Sequence, residues 1–127
     1  MKVLIEIGVG EALDRLTILA LKSELIPDPE KARRAGAEAS DLWYAVAGAL
    51  HLSDALLRME ITELRAVNLA LWEIEEKIRA VMAGVCEVHE FAALAKQVPI
   101  LNDRRAVLKR QFDDKYQSEF REVKSYV

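Results

Sequence analysis

Asn68, Glu75 and Arg105 stand where the spacing of the surrounding Leu, Ile and Val residues asks for another apolar side chain. An unpaired charge in such a place is costly, so Glu75 and Arg105 are expected to face each other. Arginine suits that role because its planar fork can bond both carboxylate oxygens. Such a pair either fixes the register of two packed helices or forms the floor of a ligand pocket between them. Arg79 follows Glu75 by four residues and can join the same cluster, and Trp72 lies beside the Asn68 and Glu75 stripe. Trp72 is expected in the core more than as a stacking platform. Asn102, Arg105 and Lys109 share one helix face. There they either cap and solvate a helix that restarts after Pro99, or recognise an anion. Asp14 and Lys22 lie on one face of the first apolar helix and could edge the same groove.

Other constellations point to weaker chemistry. Glu60-x-x-Glu63, Glu73-x-x-Glu76 and Glu87-x-x-Glu90 are carboxylates one helical turn apart, a spacing that suits magnesium. All-helical nucleotide pyrophosphohydrolases place a Glu-x-x-Asp after such pairs, but here the match is Glu11-x-x-Asp14, at the wrong end. His51 and His89 lack the preceding Glu of a di-iron bundle, and Cys86 with His89 has no second pair for zinc. Gly8-Val9-Gly10 resembles a dinucleotide turn, but Leu13 stands where that fingerprint needs Gly or Ala. No metal site, cofactor or nucleophilic triad is expected.

The elements that must hold these residues are helices. Residues 11–26 are apolar nearly all round and read as a buried helix, ended by Pro27-Asp28-Pro29. Asp28 can cap a second helix with Pro29 at its first position, running to about Leu52 through Gly36 and Gly48. Ser53 or Asp54 caps a third, whose seam is Ile61, Leu64, Asn68, Leu71, Glu75, Ile78 and Met82, with Gly84 at its end. The fourth carries Phe91, Leu94, Val98, Leu101, Arg105, Leu108 and Phe112, with a kink or break expected at Pro99. Lys2–Ile7 alternates apolar and polar residues and reads as a short strand, paired with Val123–Val127 within the chain or across a dimer. The fold class is therefore all-α, a four-helix bundle with a short N-terminal strand, and residues 1–127 form one domain.

Composition narrows the function classes. The 127 residues suit a single core, and apolar and charged residues at 52% and 31% describe a globular chain. A net charge of −3 supplies no global field for nucleic acid or an anionic membrane. No apolar run approaches the roughly 20 residues that span a bilayer, and Met1–Ile7 does not read as a signal peptide. One cysteine fits a reducing cytoplasm.

Four stretches resemble an uncharacterised bacterial protein family. They are Gly10-Glu11-Ala12-Leu13-Asp14-Arg15-Leu16-Thr17-Ile18-Leu19 with Lys22, Asn68-Leu69-Ala70-Leu71-Trp72-Glu73-Ile74-Glu75-Glu76 with Arg79, Asn102-Asp103-Arg104-Arg105-Ala106 with Lys109, and Lys124-Ser125-Tyr126. The resemblance runs through almost the whole chain in the same order. It implies that these polar positions form one set, and it supplies no activity. The family usually has Ser where Gly8 stands and an aromatic near Pro99–Ile100, and residues 31–57 match poorly.

Two functions from different classes fit these observations. In the first, Asp14, Lys22, Asn68, Trp72, Glu75, Arg79, Asn102, Arg105 and Lys109 converge in a crevice that binds a small anionic ligand or a partner's side chain. In the second, a small enzyme acts on a phosphorylated or sugar-nucleotide substrate, with Glu75 as general base and Arg105 and Lys109 as electrostatic stabilisers. A structural homo-oligomer, such as a homodimer, is a third reading.

Overall fold

The computed structural model describes residues 1–84, 87–121 and 123, with five helices among them. These are α1 (Val9–Leu25), α2 (Pro29–Leu50), α3 (Asp54–Glu60), α4 (Thr62–Met82) and α5 (Val88–Lys115). Helix α1 packs against α2, α4 and α5, and α3 packs on α4. The sequence explains that central place, because Leu13, Leu16 and Leu21 of α1 are all fully buried. The main core joins Leu13 and Leu16 to Val46, Leu57, Ile61, Leu64, Leu108 and Phe112. Among the described residues, no helix is long and apolar enough to cross a membrane.

The turns follow their local chemistry. The Asp28 side chain accepts from the Glu30 backbone N–H at 3.0 Å, with Pro29 in the first turn of α2. Helix α2 ends at His51 in the left-handed conformation (φ 55°), and the Leu52 N–H closes back on the Ala47 carbonyl at 3.0 Å. Ser53 caps α3 through its hydroxyl to Leu56 N–H. Gly84, at φ 77°, follows the end of α4.

Three expectations need correction. The third helix is two, α3 and α4, meeting at Ile61, where the Thr62 hydroxyl donates to the Arg58 carbonyl at 2.9 Å. That back-bond competes with the helix ladder and favours a bend. Pro99 does not break α5, which runs for 28 residues through it. The proline stands exposed, so water can reach the backbone it leaves unpaired. Asn102 is therefore inside a helix and caps nothing. Lys2–Ile7 forms no strand, and no strand occurs among the described residues. Of its expected partner Val123–Val127, residues 124–127 lie outside the described residues.

Helices α1 and α5 cross very closely at Gly10. A Cβ built there would sit 2.3 Å from the Lys109 carbonyl oxygen, a backbone atom that cannot swing away. Gly10→Ala should therefore cost about 2–3 kcal/mol in urea denaturation. Gly48→Ala, whose Cβ meets nothing within 4 Å, should add about 0.5–1 kcal/mol in the same assay.

Candidate functional site

Asp14 organises the polar interior. Only 1% of the residue is exposed, yet it carries a carboxylate in the middle of α1. Arg105 Nε of α5 donates to its Oδ1 at 2.8 Å, and a terminal guanidinium nitrogen donates to its Oδ2. Asn68 Nδ2 of α4 donates to the same Oδ1 at 2.9 Å and to Thr17 Oγ1 at 2.7 Å. The Thr17 hydroxyl donates in turn to the Asp14 backbone carbonyl at 2.7 Å. Both amide hydrogens of Asn68 are thus used, and three helices are tied through one carboxylate.

The expected Glu75–Arg105 pair is not formed. Arg105 bonds Asp14, while the Glu75 side chain is 60% exposed and reaches Arg79 on its own helix at 4.0 Å. Helix pitch keeps Glu75 on the same side of α4 as Leu64 and Asn68, about 20° from Leu64. At that level, however, α4 borders an open hollow between α1, α4 and α5 instead of a packed helix, so the side chain reaches solvent and the buried stripe passes to Ile74.

Above the buried carboxylate lies a hollow of about 310 Å³ between α1, α4 and α5. Lys22, Asn68, Trp72, Glu75, Arg79, Asn102 and Arg105 all border it, with Ile18, Leu21 and Leu71 supplying apolar wall. Seven of the nine expected site residues are therefore brought together. Asp14 lies beneath, buried against Arg105. Lys109 does not join them, since its Nζ donates to Glu11 Oε2 at 2.9 Å and it borders a separate hollow by Gly8. Trp72 is half-buried on the crevice wall instead of sitting in the core.

No family model, curated protein or solved structure matches the chain. The crevice is therefore read from its own chemistry. Its floor combines an amide with a guanidinium held by a buried carboxylate. Its rim carries Glu75, Glu76 and Arg79, each more than half exposed.

Two positions that hold α1 in place escaped sequence reasoning. Asp113 is buried near the end of α5, and its Oδ1 accepts from Gly10 N–H at 2.9 Å. Ser118 Oγ accepts from Val9 N–H at 2.9 Å. Together they cap α1, whose own N-cap residue, Gly8, offers no side chain. A signal existed: acids in the last turn of a helix oppose its dipole, so Asp113 needed another reason to be there.

Both members of the first carboxylate pair, Glu60 and Glu63, are engaged in ion pairs. Glu60 accepts from Lys115 Nζ at 2.8 Å and from the Tyr116 hydroxyl at 3.0 Å, while Arg104 donates to Glu63 at 2.6 Å. Burial and the Glu60 bond push the Tyr116 phenol up, and the Glu60 bond raises Lys115. Both values are raised on folding, so their stabilisation is present below the unfolded values near 10 and is lost as pH climbs through the folded ones. The urea midpoint should fall between pH 9 and pH 11, and less steeply in Tyr116→Phe.

Breaking the buried pair from either side leaves an uncompensated charge or an emptied site. Asp14→Ala and Arg105→Ala should each lose about 3–5 kcal/mol by chemical denaturation. The apolar double replacement Asp14→Leu with Arg105→Met should recover most of that loss.

Proposed function

We propose that this chain is a cytoplasmic binding domain, a four-helix bundle whose crevice between α1, α4 and α5 takes a small anionic ligand. The observation that carries the reading is the meeting of Lys22, Asn68, Arg79, Asn102 and Arg105, from three helices, around one hollow with Trp72 on its wall. Asp14 supports it from below. Its carboxylate is shielded and already accepts three hydrogen bonds, so the group edging the floor is the guanidinium it holds. A guanidinium whose Nε edge is fixed on Asp14 loses little side-chain freedom when an anion arrives beside it. Glu75 and Glu76 at the rim would accept from hydroxyl or ammonium groups on the same ligand, which suits a phosphorylated or sugar-nucleotide compound. The motif resemblance, in which these polar positions travel as one set, agrees with a shared role.

The enzyme reading is the weaker one. Glu75, its general base, is 60% exposed and lacks the desolvation such a base draws on. A structural homo-oligomer would have no use for the crevice cations.

The test is thermal unfolding with inorganic phosphate, nucleotides and sugar nucleotides, on wild type, Lys22→Ala and Arg79→Ala. Both variants remove exposed side chains, so their ligand-free melting should stay within about 2 °C of wild type. A ligand at a hundred times its dissociation constant should add about 2.7 kcal/mol, a rise on the order of 10 °C. Loss of that rise in both variants is the expected result. A panel that leaves wild-type melting unmoved would sink the proposal.

A further inference from the structure

Residues 1–7 precede α1 in no helix or strand, and among the described residues no backbone–backbone hydrogen bond involves them. Their apolar side chains are nevertheless large: Val3, Leu4 and Ile5 are exposed at 75%, 96% and 62%. The segment Met1-Lys2-Val3-Leu4-Ile5-Glu6-Ile7 has a further property, which is self-complementarity. If two copies run antiparallel about a dyad at Leu4, Lys2 of each stands directly opposite Glu6 of the other. Val3 then opposes Ile5, and Leu4 opposes itself. Directly opposed residues lie on one face of a strand pair, so Lys2, Leu4 and Glu6 form a charged, paired face. Met1, Val3, Ile5 and Ile7 of both copies form an unbroken apolar face.

Other registers lose this match. A shift of two residues sets Glu6 against Leu4 and Lys2 against Gly8, and parallel in-register pairing stacks each charge on its like. A two-stranded ribbon by itself is marginal in water, so its apolar face needs cover. Phe120, 50% exposed, borders the same hollow as Glu6 and Ile7 and offers an apolar surface beside the segment's root.

We propose that residues 2–6 pair antiparallel with the same segment of a second copy of this chain, in the register that sets Lys2 against Glu6, and so form a homodimer. The pairing engages backbone groups of residues 2–6 and sets Val3, Leu4 and Ile5 of each copy directly against Ile5, Leu4 and Val3 of the other. It is independent of the crevice and of what the crevice binds.

Sedimentation equilibrium of wild type, Lys2→Glu, Glu6→Lys and the double exchange tests this. Because the dyad repeats each pair, one reversal creates two like-charge contacts and should weaken dimerisation about tenfold. The double exchange re-forms both pairs in the opposite sense and should return the constant to within about twofold of wild type. All four proteins should show the same helical circular dichroism, since the segment lies outside the core. A wild type that stays monomeric to 100 µM protein (on the order of standard sedimentation loading) would overturn the proposal. So would a dimer indifferent to the single reversals, or a double exchange no tighter than either single one.

Discussion

Asp14 sits in the centre of the most buried helix, where a carboxylate without partners would cost several kcal/mol. Everything polar in the interior is arranged around that cost. Arg105 must come from α5 and Asn68 from α4, and each must arrive with its donors aimed at the same oxygen, Oδ1. Thr17 takes up the second hydrogen of the Asn68 amide, which prevents the repair from leaving a new unpaired donor. An apolar core would tolerate small rotations of these helices, whereas a shared acceptor does not. The carboxylate therefore sets the relative positions of α1, α4 and α5 more narrowly than hydrophobic contact alone.

A second constraint acts at the other end of the same helix pair. Gly10 lets α1 approach the backbone of α5 at Lys109, and Asp113 and Ser118 satisfy N–H groups in the first turn of α1 from outside it. Both contacts draw the start of α1 onto the end of α5. With Asp14–Arg105 about a turn further along α1, the two helices are fixed at two levels. The crevice opens where that tight contact ends, beyond Arg105 and toward Lys22. Its floor is thus fixed by the buried network, whereas its rim is built from the exposed Glu75, Glu76 and Arg79, which pair with one another.

The same division bears on which residues a substitution series should touch. Arg105 and Asn68 belong both to the crevice and to the buried network, so changing them disturbs stability and the site together. Lys22, Arg79 and Asn102 border the crevice without bonding Asp14. They are the positions whose replacement leaves the buried Asp14 network intact.

The sequence by itself determined the helical class, because runs of apolar residues at 3-4 spacing and the Pro27-Asp28-Pro29, Ser53 and Gly84 signals are local chemistry. It also singled out Asn68 and Arg105, since a polar side chain on an apolar stripe is visible without coordinates. It did not assign their partner. Periodicity gives the face of a helix but not which neighbour that face meets, so it could not show that Glu75, on the same face as Asn68, borders an open hollow instead of a packed seam. The N-terminal alternation was legible as β-like, yet a strand requires a second one beside it, and none lies beside it among the described residues. Only the tertiary structure decided that the acid for Arg105 comes from α1, that Lys109 turns to Glu11, and that Asp113 caps a helix about a hundred residues away in sequence. Those choices depend on distances between segments far apart in the chain, which the burial of a common core sets and no local pattern records.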